Sequence, residues 1–220
     1  DRRQRQMCIR DREYRDYLTR AYNRRGFVYM VERFLNHCED RTRYGILYFN
    51  IKNFKATNEL LGVKEGDCIL QSFCKSIERS FLHPVYTARV EADHFVSFVE
   101  RDRISLKKLE EFCNQTFEIY NKKIRVHSCC GIFYLKDENM PVAGMVDRAK
   151  LAKQHIVDEY LKPYAVFDQK MEMEYIDKAE IAAAFEEAIV NEELEVYYQP
   201  IVDPVTGRIM SAEALVRWIH

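Results

Sequence analysis

Residues 87–99 restrict the fold of this chain more than any other stretch. Thr87-Ala88-Arg89-Val90 and Phe95-Val96-Ser97-Phe98-Val99 are short runs rich in β-branched and aromatic residues, joined only by Glu91-Ala92-Asp93-His94. Runs joined so closely predict a β-hairpin, and so tight a turn ordinarily takes glycine or asparagine, which tolerate positive φ. Here the connection holds no glycine. It is acidic at Glu91 and Asp93, with His94 beside them.

Composition sets the class. The 220 residues are 47% hydrophobic and 13% aromatic, enough for a sizeable core and against disorder. Basic and acidic side chains, 34 against 35, cancel. No global field therefore argues for nucleic acid or an anionic membrane as partner. The basic start (Arg2, Arg3, Arg5, Arg10, Arg12) is interleaved with Asp1, Asp11 and Glu13, so residues 1–18 read as a solvated leader helix. The cysteines number 7, mostly within apolar patterns and without Cys-x-x-Cys spacing, as expected of reduced core thiols. No apolar run of about 18 residues and no secretory leader is visible. The expectation is a soluble, cytoplasmic stretch whose longer parent could still carry a membrane anchor upstream.

Along the chain, helical spacing at Phe27, Met30, Val31, Phe34 and Leu35 precedes a continuous apolar run, Ile46–Ile51, that suits a buried central strand. Helices are predicted over 56–61 and 68–81, then the hairpin, a helix over 106–120 and a strand over 124–135. A helix over 142–156 and a short strand at 164–167 follow. This order predicts an α/β fold, a central mixed sheet flanked by helices.

The motifs now carry a resemblance. Asp16, Leu18, Thr19, Asn23, Arg24 and Arg25 fit an opening Asp-x-Leu-Thr-Gly-Leu-x-Asn-Arg-Arg. Phe49-Asn50-Ile51-Lys52-Asn53-Phe54-Lys55 with Asn58, Gly62, Gly66 and Asp67 follows. Val126–Ile132 stands where a Ser-x-Gly strand is expected. Asp147, Ala149, Ala152 and Lys153 fit an Ala-Asp-x-Ala-Leu-Tyr-x-Ala-Lys helix. Together these resemble the GGDEF domain of diguanylate cyclases over about residues 16–170, with the name-giving motif spelled Glu-Ala-Asp-His-Phe at 91–95. The domain is assigned to 19–170.

In that family, two GTP molecules held by a dimer are joined, and attack on the α-phosphate needs hard cations on oxygen ligands. The resemblance places those ligands at Asn50, Lys52, Asp93 and His94. Asn50 offers only a neutral carbonyl, Lys52 is itself a cation, and imidazole is a poor partner for magnesium. Glu91 and Ala92 replace the glycines that let backbone approach a ligand closely, and Glu91 adds a negative charge beside a polyphosphate. Asn58 and Asp67 occupy the guanine-reading positions, and an amide with a carboxylate suits guanine's carbonyl and N–H edge. Read as residues alone, Asn58 is a helix-face side chain and Asp67 the cap of a helix beginning at Cys68. Lys153 matches a phosphate-contacting lysine. Leu82 and Val85 fall where the family's Arg-x-x-Asp inhibitory site would sit, and neither can bind a phosphate or guanine.

From about residue 171 the text changes. An amphipathic helix (Ile176, Ala179, Ile181, Ala182, Phe185, Ala188) leads to strands at 194–202 and 208–218 around Asp203-Pro204-Val205-Thr206-Gly207. Tyr197-Tyr198-Gln199-Pro200-Ile201-Val202 and Glu213-Ala214-Leu215-Val216-Arg217-Trp218 closely resemble the opening of an EAL phosphodiesterase domain. That fold is an α/β barrel of about 250 residues, so 171–220 make an incomplete start of one. The resemblance implies Glu213 as a metal ligand, Gln199 and Arg217 as substrate contacts, and magnesium or manganese as the cofactor of a complete domain. No cofactor is expected for the present stretch. The 194–218 hairpin, lacking its cover, is expected to pack on a neighbouring molecule or to join an existing sheet.

The reading is a catalytically inactive GGDEF-like regulatory and dimerising module of a GGDEF–EAL cyclic-di-GMP protein, with a homodimer, a guanine nucleotide and cyclic-di-GMP as partners. Its alternatives are an active cyclase with a metal site rebuilt on Asp93, and an interaction module that binds no nucleotide.

Overall fold

A computed structural model describes residues 13–136 and 139–219. Contacts divide the chain into two units, meeting at Asp168 and Gln169. In the first, a six-stranded mixed sheet is built around β1 (Tyr44–Ile51). β1 pairs antiparallel with β3 (His94–Glu100) on one side and β5 (Lys122–Tyr134) on the other. β2 (Tyr86–Glu91) forms one edge beside β3. Along β5 lie β4 (Asn114–Ile119), antiparallel, and β6 (Tyr164–Val166), parallel.

β1 is buried on both faces, which is why its sequence reads as an unbroken apolar run. Leu47, Phe49 and Ile51 meet Ile69, Leu70, Phe73, Cys74 and Ile77 of helix α3 (Val63–Glu78). On the same side the short α2 (Phe54–Leu61) precedes α3, and α4 (Leu106–Phe112) adds Leu109. Helix α1 (Arg24–Leu35) packs on β2, and α5 (Val142–Gln154) packs on β1 and β5. Asn23 caps α1 by accepting the Gly26 N–H at 2.9 Å. Fully burying one large apolar side chain is worth roughly 1.5–3 kcal/mol, so this double-sided core carries most of the stability.

Three expectations need correction. Residues 1–12 of the leader helix lie outside the described residues, but at Arg15 the chain has already left helix and bridges to Tyr22. The Asp16 carboxylate accepts from Thr19 N and Oγ1, both at 2.8 Å, and this local turn ends any helix there. The helix expected over 106–120 stops at Phe112. Beyond Cys113 the period changes to two, with Gln115, Phe117 and Ile119 turned inward, and the segment becomes β4. Tyr120 and Asn121, with φ of 51° and 63°, form the two-residue turn into β5. Finally, α3 begins at Val63, five residues before Cys68, so Asp67 lies inside the helix and is not its cap.

In the second unit, α6 (Gln169–Val190) leads to β7 (Leu194–Val202) and β8 (Ile209–Trp218), which pair with each other. Asp203 shapes the connecting turn by accepting the N–H groups of Val205 (2.7 Å) and Thr206 (3.0 Å), and Gly207 supplies a φ of 66°. Among the described residues no helix is long and apolar enough to cross a membrane.

Gly131 is where α5 meets the sheet. A Cβ there would lie 1.9 Å from the Ala149 carbonyl oxygen and 2.5 Å from Lys153 N. Backbone cannot yield as a flexible side chain can. Gly131→Ala is expected to destabilise the first unit by about 3 kcal/mol or more, read from the urea midpoint.

Candidate functional site

The site is a row of side chains at the C-terminal end of β1. Asn50 stands opposite His94 on β3 and Cys129 on β5, and directly opposed residues of antiparallel strands share a face. α5 brings Lys153 over the same end, where it feels the charges of Lys52, Glu159 and Asp93. Thus Asn50, Lys52, Asp93, His94 and Lys153 do converge. Asn58 and Asp67 stand apart from this row, on α2 and α3.

The hairpin turn is the two residues Ala92 and Asp93, since Glu91 pairs with His94. Ala92 takes φ 38°, the left-handed region where a Cβ is disfavoured by roughly 1–2 kcal/mol. Arg89 offsets this. Its Nε donates to the Ala92 carbonyl oxygen at 2.6 Å, and its Nη1 reaches both Asp16 carboxylate oxygens at 3.4 Å. The turn without glycine is strained, follows a register shift between Arg89 and Glu91, and is braced by a largely buried ion pair.

Asp93 faces inward. Asn50 Nδ2 donates to Asp93 Oδ2 at 2.7 Å. An ionised carboxylate only accepts, so the amide must present its nitrogen and turn its oxygen away. Lys52 Nζ is bound to Glu159 Oε1 at 2.5 Å, a link across 107 residues of sequence. Burial holds Lys153 below the usual lysine range, and the Lys52 ammonium pushes the same way.

His94 lies against Tyr48, ring centroids 5.5 Å apart, and its Nδ1 is buried without a hydrogen-bond partner among the described residues. Burial lowers its pKa from the ordinary value. Asp93 and Glu91 oppose that shift, while Lys153 and Lys150 add to it. Beside this row Cys129 is an inert thiol, pushed up to about 11 chiefly by burial.

These residues do not fit the divalent cations of the family. Asn50 aims a donor at Asp93, Lys52 places an ammonium at the end of β1, and no group of three or more His, Cys, Asp or Glu among the described residues is arranged to hold a metal. Asn58 and Asp67, where the resemblance implies contacts to guanine, lie on α2 and α3. Asn58 Oδ1 is buried without a hydrogen-bond partner among the described residues, and a Cβ at Gly66 would fall 1.7 Å from it. Gly66 thus makes room for the amide. Leu82 is fully buried in the core.

On the second unit, Gln199 stands directly opposite Glu213, and Arg217 opposite Glu195. Strand alternation then puts Gln199, Glu213 and Arg217 on one face of the β7–β8 ribbon. Sequence reasoning missed Glu159 and the role of Arg89. Glu159 sits in a loop with no pattern to flag it. Arg89, a charge between the apolar residues Ala88 and Val90, was the available signal.

A family profile described as diguanylate cyclase, GGDEF domain, matches residues 13–155. The chain belongs to the GGDEF family. A profile for the EAL domain follows, matching residues 182–220. The GGDEF–EAL chain is 25% identical over 211 residues to the bifunctional diguanylate cyclase/cyclic di-GMP phosphodiesterase MucR of Pseudomonas aeruginosa, covering 93% of this chain and 31% of that protein. It is 24% identical to the cyclic di-GMP phosphodiesterase PdeR of Escherichia coli, covering 92% and 31%. The chain thus spans about a third of the length of these curated relatives.

Among solved structures, the coiled coil and GGDEF domain of DgcB from Caulobacter crescentus, in complex with c-di-GMP, matches at a TM-score of 0.61. It is 19% identical, with 74% of this chain and 91% of that one covered. The S helix-GGDEF-EAL structure of Vibrio cholerae LapD, bound to c-di-GMP, matches at 0.56 with 16% identity, over 99% and 52%. At such identities the likeness is one of fold.

The depressed pKa of His94 has a signed consequence. The unfolded chain takes up this proton near pH 6.5, before the folded one does. His94 therefore leaves stability intact above about pH 6.5 and subtracts from it as the pH falls below that value. The loss of urea midpoint between pH 7 and pH 5 is expected to be smaller in His94→Gln than in the wild type.

Proposed function

We propose that the GGDEF domain of this chain is a catalytically silent regulatory and dimerising module that recognises a guanine nucleotide, in a GGDEF–EAL protein of cyclic-di-GMP signalling. The observation that carries this reading is the Asn50–Asp93 hydrogen bond. It uses the remaining hairpin carboxylate internally, at the place where a cyclase needs a free oxygen ligand. Lys52 and His94 remove two further carboxylates, and Glu91 stands beside the course of a polyphosphate.

Asn58 and Asp67 are the groups that would read the base. The unpartnered, buried Asn58 Oδ1 supports this, because a buried acceptor without a partner costs about 1–3 kcal/mol and a ligand donor would recover that. Lys153, half-buried beside Lys52, would face the phosphates. On the EAL side, Glu213 would be the first metal ligand of a complete, magnesium- or manganese-dependent phosphodiesterase, with Gln199 and Arg217 contacting cyclic-di-GMP from the same face.

Incubated with GTP and magnesium or manganese, the protein is expected to form no cyclic-di-GMP; measurable product by chromatography would overturn the reading. Asn50→Asp, Lys52→Asp and His94→Glu together are expected to leave it inactive, because Glu91 and Ala92 still crowd the phosphates. Calorimetry should show GTP preferred to ATP, with Asn58→Ala and Asp67→Ala each weakening GTP by about 1–3 kcal/mol.

A further inference from the structure

The misfit between this site and divalent cations has a positive counterpart. Where the metal-binding pattern is lost, an ammonium has been gained. Lys52 Nζ lies just past the end of β1 and, among the described residues, is held by the Glu159 carboxylate. Both side chains remain partly exposed, 26% and 34%, so the pair can open to solvent.

Beside the pair is a cavity of about 150 Å³ lined by Lys52, Asn53, Phe54, Thr57, Arg125 and His127 among others. Ligand pockets for whole drug-sized molecules run to about 300–1,000 Å³. This one has room for a phosphate-sized anion but not for a triphosphate with a hydrated cation. Its polar lining is donor-rich, with the Lys52 ammonium, the Arg125 guanidinium, the His127 imidazole, the Asn53 amide and the hydroxyls of Thr57 and Tyr160. Phe54 links it to the base-reading positions: a Cβ at Gly66 would come 3.3 Å from Phe54 Cζ and 1.7 Å from Asn58 Oδ1.

We propose that Lys52 replaces the divalent cation: a guanine nucleotide binds this domain without metal, a phosphate taking the place of the Glu159 carboxylate on Lys52. This rests on the guanine-nucleotide reading given above and adds the identity of the counter-ion. Charge supports it. One carboxylate leaves the ammonium as one phosphate arrives, so the site exchanges anion for anion. Lys153, already disfavoured as a cation by burial and by Lys52, also gains from a nearby negative charge. A magnesium ion brought in with the nucleotide would instead meet both ammonium groups at close range, while Asp93 is engaged by Asn50.

The test is calorimetry of GMP and GTP on the full chain, in EDTA and in magnesium. Binding is expected in EDTA with an affinity within about twofold of that in magnesium. Glu159→Gln removes the competing carboxylate and is expected to tighten binding in EDTA about two- to fivefold, the range of a partly exposed ion pair. Lys52→Met should abolish the binding seen in EDTA, and circular dichroism checks that this variant is folded; Glu159→Gln gives an independent reading if it is not. Binding that appears only with magnesium would overturn the proposal while leaving guanine recognition standing. Metal-independent binding that Glu159→Gln leaves unchanged would also overturn it, since the carboxylate would then not compete. Absence of binding in both buffers would remove the guanine-nucleotide reading and this proposal with it.

Discussion

β1 is the element on which the rest of the first unit depends. It is hydrogen-bonded on both sides and buried on both faces, so every residue from Gly45 to Phe49 belongs to the core. Only where the strand ends, at Asn50 and Lys52, do its side chains become available for chemistry. The site is thus the tip of the most constrained strand in the sheet. Its position is fixed by packing, and its chemistry is left to whichever side chains stand at that tip.

This separation explains how the fold and the chemistry can diverge. The tip of the strand carries Asn50 and Lys52, with His94 opposite, and it is not empty. The groups present satisfy one another: amide to carboxylate at Asn50–Asp93, and ammonium to carboxylate at Lys52–Glu159. Both pairs are only partly buried, so each contributes modestly, about 1 kcal/mol or less for the partly exposed ion pair. His94 is the exception, holding a buried nitrogen without a partner among the described residues, and it is accordingly the group expected to sense acid.

Much of this was legible in the sequence because the signals were local. The apolar run of β1, the 87–99 hairpin, α5 and the β7–β8 ribbon each followed from periodicity and turn chemistry within a short window. The failures were of two kinds. At 106–120 two periods meet within fifteen residues, and the helical one at Leu106, Leu109 and Phe112 masked the alternation that follows. At Glu159 the partner lies 107 residues away in a loop, and no local pattern can announce a contact that only the tertiary fold creates. The missing glycines were visible from the start. That Ala92 still adopts the left-handed turn depends on the brace from Arg89, which only the folded hairpin creates.

The contact at Gly131 carries a different lesson. Because α5 rests on β5 backbone against backbone, the gap between Lys153 and the end of β1 does not depend on the size of any intervening side chain. It behaves as a rigid spacer. Substitutions at the tip of the sheet can alter charge, ligand preference and reactivity without changing that spacing. The domain can therefore pass through a long series of chemically different sites while its scaffold stays the same, a freedom that a site built on flexible loops would lack.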